Sequence, residues 1–319
     1  QRAALQAVGI PLVEDIPPAG PKAKNCVVHL NTVLPVTRFA AVRAHARGCK
    51  IIYYGHSTME DFKNSFTGSN LLAPLFKKWI CGCYNKGDVV ITPSEYSKDI
   101  LQSYGLKKPI YALSNGIDTR FFCPSAERAA RFRARYELAP GQKCVISVGH
   151  WMVRKGLPDF VELARRIPEA RFLWFGHTDA ALLTVEIRAA MAHAPSNVTF
   201  AGFADAEQIC DAYCGADAFA FLSHEETEGI VVLEALACGT PTLVRDIPVY
   251  STWLKHGESV YMDTDLDGFE RQLRGMLDGS LPSLKEGGHA VADSRSLRAI
   301  GESLCRIYEE NGFLAQARA

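Results

Sequence analysis

Ala218-Phe-Ala-Phe-Leu222 and, after a short polar link, Glu226-Thr-Glu-Gly-Ile-Val-Val-Leu-Glu234-Ala-Leu-Ala-Cys-Gly-Thr-Pro241 carry the most information in this chain. The first is an unbroken apolar run of strand length. The stretch 229–237 reads as a helix closed by Gly239 and Pro241. Glu226 then lies on a loop at a strand's C-terminal end, the edge where an open parallel sheet binds its ligands, and Glu234 lies inside the following helix. The amides of Gly229, Ile230 and Val231 sit at the helix start, unpaired within the helix and aimed at an anion such as a diphosphate. For an isolated pair of glutamates, simple complementarity to the helix dipole is the commoner use, and the spacing alone leaves both readings open.

On both sides of this string the same alternation continues. Strand-like runs at 143–148, 170–175, 197–200, 241–244 and 259–262 interleave with helical stretches at 157–166 and 180–194. Upstream, runs at 25–30, 50–54, 88–92 and 110–113 alternate with helical stretches at 38–47 and 96–104, the second of these opened by Ser94 as an N-cap. Asn115-Gly116-Ile117-Asp118 marks a turn and a boundary. The expected fold is α/β, with two Rossmann-like doubly wound domains at 1–118 and 119–295 and a last segment, 296–319, helical over 296–316. The chain opens inside what reads as the end of a helix at 1–9, so a truncated first domain is expected.

With 319 residues, of which 48% are hydrophobic and 22% charged, the chain can bury two sizeable cores. No run of about 18 apolar residues offers a membrane span, and no signal peptide is visible. The ten cysteines show no Cys-x-x-Cys pair and no accompanying His ligands, so they read as small core residues of a reducing compartment, not as disulfides or a zinc site. A net charge of zero hides an asymmetry: residues 1–120 carry 15 Lys/Arg against 8 Asp/Glu, the remainder 20 against 27. Such an imbalance speaks to partners. No Gly-x-Gly-x-x-Gly opens either half, which argues against a dinucleotide oxidoreductase, and the basic half carries no nucleic-acid-binding motif.

The string from Glu226 to Pro241 resembles the signature of the family 4 glycosyltransferases, retaining enzymes of the GT-B fold, in which Glu-x7-Glu is followed by Ala-(small or apolar)-Ala-x-Gly-x-Pro. The resemblance implies two domains facing across a cleft, with Glu226 beside the donor sugar and Glu234 on the nucleotide ribose. In Ser147-Val-Gly-His-Trp-Met-Val-Arg154-Lys155-Gly156, the position of Lys155 matches a cation that neutralises the leaving UDP; the family's other cation position holds His150 here, and Arg154 is the candidate to supply that charge. His56, after Tyr53-Tyr54-Gly55, takes by resemblance the place of a histidine facing the donor sugar. Asp263-Thr-Asp265 invites a metal reading, but these are ordinary turn and helix-start residues, so no metal and no cofactor are expected.

In the stretch 70–86, Leu72, Leu75, Phe76, Trp79 and Ile80 mix with Lys77, Lys78 and Lys86, a composition suited equally to an anionic membrane surface and to a core-facing helix with lysines at its edge. The surrounding strings, Gly55-His-Ser-Thr-Met-Glu-Asp-Phe, Ile91-Thr-Pro-Ser-Glu-Tyr-Ser-Lys and Leu113-Ser-Asn-Gly-Ile-Asp118, resemble the bacterial diglycosyl diacylglycerol synthases. That likeness implies transfer of glucose or galactose from a UDP-sugar to a monoglycosyl diacylglycerol at the cytoplasmic membrane face, with Lys77, Lys78 and Trp79 meeting lipid. The alternatives are a family 4 enzyme of capsule or polysaccharide assembly and a non-catalytic UDP-sugar-binding protein.

Overall fold

A computed structural model describes residues 1–13, 15–20, 26–66 and 68–313. The chain divides into two compact units. The first comprises Gln1–Lys63, Asn70–Gly116 and the chain from Arg295; the second comprises Asn64–Ser69 and Ile117–Ser294. The expected boundaries were 118 and 295.

The first unit is built on a parallel sheet of β1 (Val27–Leu30), β2 (Lys50–Tyr54), β3 (Val89–Thr92) and β4 (Ile110–Ala112), in that spatial order. Residue 25, where the first strand was expected to begin, lies outside the described residues. The buried Ile51, Ile52, Tyr53, Val89, Val90 and Ile91 make β2 and β3 apolar on both sheet faces, as a parallel sheet covered on both faces demands. One face meets the helices Pro35–Arg47 and Ser69–Tyr84 through Ala41, Ala44, Ile80 and Cys83. The other packs Ile52, Tyr54 and Ile91 against Ile300, Leu304, Ile307 and Tyr308 of the helix Leu297–Glu310 and against the first helix, Arg2–Ala7. The expected helical stretch ran on to 316, and its residues 314–316 lie outside the described ones. Ser94 caps the helix Glu95–Ser103 as expected, its Oγ accepting from the Ser97 amide at 3.1 Å.

The second unit holds six parallel strands: β5 (Cys144–Val148), β6 (Arg171–Phe175), β7 (Val198–Gly202), β8 (Ala218–Phe221), β9 (Thr242–Arg245) and β10 (Tyr261–Asp263). Their spatial order is β10-β9-β8-β5-β6-β7, so winding reverses between β5 and β8. This is the doubly wound order anticipated from the alternation; in the first unit the described strands instead follow one another without reversal. Phe160 of the helix Leu157–Arg166 stacks edge-on against Phe172 and Trp174, with ring centroids 5.2 Å away in each case. Truncating this fully buried ring costs about 3–5 kcal/mol. Asp265 accepts from the Gly268 amide as the N-cap of the helix Leu266–Asp278, and Asp263 pairs with Arg271 at 2.9 Å, the turn and helix-start roles expected of them.

Candidate active site

The winding reversal puts the C-terminal ends of β5 and β8 side by side, with Val145 opposite Ala218 and Ile146 opposite Phe219. The loop after β5 carries Lys155, and the loop after β8 carries Glu226. Their meeting is therefore set by strand order, at the crevice where such sheets take ligands. Lys155 Nζ lies 2.5 Å from Glu226 Oε1, with the Lys155 side chain 16% and the Glu226 side chain 7% exposed. Ser223 Oγ donates to the same carboxylate oxygen at 2.8 Å. A buried carboxylate needs such partners, because an unpaired charge out of water is costly.

Glycines allow the loops to approach this closely. Gly156 ends the 3-10 turn Val153–Lys155 and starts the helix Leu157–Arg166 at φ 77°, and a Cβ there would sit 2.2 Å from the Leu222 carbonyl oxygen. Gly229 holds φ 82° as N-cap of the signature helix Ile230–Ala237. No side chain caps this helix, so the amides of Ile230 and Val231 face outward at its positive end. Gly176, the strand-end glycine after β6, adopts φ 132°, and a Cβ there would sit 2.0 Å from the Gly149 carbonyl oxygen.

Glu234 projects from the signature helix and accepts from Tyr213 Oη at 3.1 Å. Burial pushes its carboxyl up to about 7, against the opposing pull of the Tyr213 hydroxyl. Burial, and then the Glu234 charge, raises the Tyr213 phenol well above its ordinary value.

Arg154 reaches the site differently from the sequence expectation. It is buried, and its Nη1 donates to the Glu225 carbonyl at 2.8 Å, so it clamps the loop that bears Glu226. His150, at the family's first cation position, is exposed and turns Nδ1 to the His177 carbonyl at 2.7 Å. One residue that sequence reasoning missed is Tyr250. Its fully buried hydroxyl has no hydrogen-bond partner among the described residues and lies 2.7 Å from where a Cβ of Gly229 would stand. Burial, and then the Glu226 charge, holds this phenol well above its ordinary value. A lone tyrosine in Pro248-Val-Tyr250 carries no sequence signal for such a role.

In the first unit, His56 follows β2 and stacks on Tyr54 with ring centroids 5.5 Å apart and planes 12° from parallel. Burial lowers its pKa to about 4, which keeps the imidazole neutral and able to exchange hydrogen bonds with a hydroxyl. Of the lipid-facing candidates, Lys78 is exposed and Lys77 is half-buried with its ammonium 4.2 Å from the Tyr104 ring centroid. Trp79 turns inward: its Nε1 donates to the Val33 carbonyl at 2.6 Å under the Arg38 guanidinium, because the indole needs a partner once buried. The apolar residues this helix exposes are Leu71, Leu72 and Leu75, and the adjoining 34–42 segment exposes Leu34, Val36, Phe39 and Val42.

Residues 129–286 match the family model for glycosyl transferases group 1, and residues 26–121 match that for glycosyltransferase family 4. The chain is 38% identical over 311 residues to the processive diacylglycerol alpha-glucosyltransferase of Acholeplasma laidlawii, covering 97% of this chain and 91% of that protein. The chain is a family 4 glycosyltransferase. This glycosyltransferase is also 25% identical to the alpha-galactosylglucosyldiacylglycerol synthase of Streptococcus pneumoniae, over 72% of its own length and 62% of the relative's. Its fold is that of the GT-B enzymes: the Anabaena Alr3699/HepE protein in complex with UDP and glucose superimposes with a TM-score of 0.76 at 16% identity, over 89% of this chain and 78% of that one. Sucrose-phosphate synthase from Thermosynechococcus elongatus gives a TM-score of 0.75 at 20% identity, over 89% and 73%. Among the described residues no helix is long and apolar enough to cross a membrane.

Proposed function

We propose that this glycosyltransferase moves glucose or galactose from a UDP-sugar, with retention of configuration, onto the sugar of a monoglycosyl diacylglycerol at an anionic membrane surface on the cytoplasmic side. The observation that carries the chemistry is the Lys155–Glu226 pair at the β5/β8 reversal, beside the uncapped start of the signature helix. What supports the acceptor is the 38% identity to a diacylglycerol glucosyltransferase across nearly the whole chain.

In this reading the diphosphate takes the place of the carboxylate as Lys155's main partner and docks on the amides of Ile230 and Val231. Glu226, still held by Ser223, positions the donor sugar, with the Tyr250 hydroxyl as a further hydrogen-bonding group. The acceptor hydroxyl attacks on the face that UDP leaves, forming the new C–O bond as the sugar–phosphate bond breaks. The departing diphosphate takes the hydroxyl proton. Lys155 and the helix amides offset the charge that builds on UDP, so the transfer proceeds without a metal. Neutral His56 contributes hydrogen bonding to a sugar hydroxyl.

Glu234 makes the nucleotide part of this reading testable by pH. Ribose hydroxyls donate to a carboxylate better than to a carboxylic acid, and the free carboxyl titrates near 7. UDP binding therefore releases a proton below that pH, and affinity rises as pH increases from about 5 to 7. Calorimetry in buffers of differing ionisation enthalpy measures the release, and Glu234→Gln is expected to abolish it; an equal release in the variant would remove Glu234 from the ribose site. Stability alone runs the other way. The native state keeps this proton between the ordinary value of 4.5 and about 7 while the unfolded chain loses it, so Glu234's contribution to folding falls as pH rises through that window.

The membrane part rests on Leu71, Leu75 and Phe39, which are 87%, 67% and 74% exposed, with Lys78 exposed nearby in sequence. Burying such side chains in an interface is favourable by about 1.5–3 kcal/mol each when complete, and each lysine near an anionic surface adds about 1 kcal/mol. Leu71→Ser with Leu75→Ser is expected to weaken sedimentation with phosphatidylglycerol vesicles at least ~10-fold, on the same arithmetic, while leaving UDP binding intact. Undiminished vesicle binding would take this face out of the account. The acceptor is tested by extraction after incubation with radiolabelled UDP-sugar, anionic micelles and monoglucosyl diacylglycerol. Label in the organic phase is expected; label only in a water-soluble saccharide would favour the polysaccharide alternative.

A further inference from the structure

Three of the ten cysteines, which the sequence spacing presents as scattered core residues, converge in the second unit. Cys210 and Cys214 stand one turn apart on the helix Ala206–Gly215, and Cys238 caps the C-terminus of the signature helix. All three Sγ atoms lie within 4.8 Å of one another, and Cys210 Sγ is 3.7 Å from Cys238 Sγ. Tetrahedral zinc with Zn–S bonds of about 2.3 Å separates its sulfurs by ~3.8 Å, so the thiols already stand at that spacing to within a small adjustment. Cys210 and Cys238 are buried, whereas Cys214 is half-buried; Cys214 and Cys238 line a cleft of about 220 Å³ with Ser125, Gly239 and Lys285. The cleft offers an ion a way in and leaves a fourth coordination position for water or a small ligand.

We propose that Cys210, Cys214 and Cys238 form a binding site for one thiophilic metal ion, Zn(II) in class, with an open fourth position toward the cleft. Loading forms three metal–sulfur bonds and releases the three thiol protons to solvent, with no change in oxidation state. The ion ties the helix Ala206–Gly215 to the end of the signature helix. Tyr213 lies between two of the ligands and donates to Glu234, so occupancy stiffens the support of that carboxyl without entering the transfer step. The inference is independent of the acceptor proposed above.

The test is titration of the reduced full chain with Cd(II), read by the ultraviolet thiolate-to-metal band and by proton release. One equivalent is expected to bind, with about three protons released if the thiols are protonated at the start, as in metal–thiolate sites generally. Cys214→Ser and Cys238→Ser are each expected to weaken binding at least ~10-fold, since losing even a hydrogen-bonding partner of a ligand costs about 10–100-fold, while Cys81→Ser in the first unit leaves it unchanged. Cys214 is half-buried, so its serine variant tests the site without emptying a core position, and retained UDP binding shows that the variant is folded. No saturable band in the wild type, or a band that survives Cys214→Ser, would overturn the site.

Discussion

Glu226→Gln is expected to lower turnover by about 10²–10³-fold, the scale seen when one group that stabilises developing charge is removed from an active site. The glutamine keeps the shape of the side chain and can still meet Ser223 Oγ, but it removes the negative charge that Lys155 holds at 2.5 Å. Lys155 is then freed for the diphosphate, so UDP affinity is expected to hold or rise while kcat collapses. This split separates a sugar-positioning carboxylate from a merely structural one. If Glu226 served only to neutralise Lys155, the variant would bind UDP more tightly and turn over at a near-normal rate. Steady-state kinetics combined with UDP calorimetry distinguishes the two outcomes.

Gly156→Ala is expected to destabilise the second unit by more than ~3 kcal/mol: a left-handed conformation costs an ordinary residue about 1–2 kcal/mol, and a backbone clash adds to it. The added methyl would stand 2.2 Å from the Leu222 carbonyl oxygen, an atom already fixed by a 3.1 Å hydrogen bond from Arg245 Nε. Yielding would push the β8 loop, and with it Glu226, away from Lys155. A melting temperature lower by roughly 10 °C follows for a unit of this size. Gly141→Ala supplies the control, since Gly141 has φ 78° but nothing within 4 Å of its added Cβ. It carries only the conformational cost, about 1–2 kcal/mol. Equal effects at the two glycines would mean that the close approach of the two loops does not hold the site together.

The strands were legible because parallel sheets covered on both faces need apolar runs: Ala218–Phe221, Arg171–Phe175 and Val89–Thr92 each announce themselves within five residues. Glu226 and Glu234 stand out as candidates because they share one short string, and Lys155 because a second string sets it between Gly149 and Gly156. What stayed hidden depends on approach in space. The order β8-β5, which brings the Glu226 and Lys155 loops together, cannot be read from periodicity, since every strand looks alike in that respect. Arg154 looked like a free cation beside Lys155, yet the 3-10 turn sends the two neighbours in different directions, one to the Glu225 carbonyl and one to the Glu226 carboxylate. Trp79 reads as an interfacial aromatic until its indole is seen bonded to the Val33 carbonyl, which leaves the leucines one to two turns earlier as the exposed surface. Tyr250 and the Cys210, Cys214 and Cys238 trio are brought into place entirely by tertiary packing.

Retaining transfer onto the lipid is read out by proton NMR of the product made from UDP-glucose and monoglucosyl diacylglycerol in anionic micelles. A diglucosyl diacylglycerol is expected, its new anomeric proton showing the small coupling of an α linkage; with UDP-galactose as the accepted donor, the product is the corresponding α-galactosylglucosyl lipid. A β linkage would contradict retention and the front-side step built on Glu226. UDP binding with no lipid product from either donor would contradict the assignment of the acceptor.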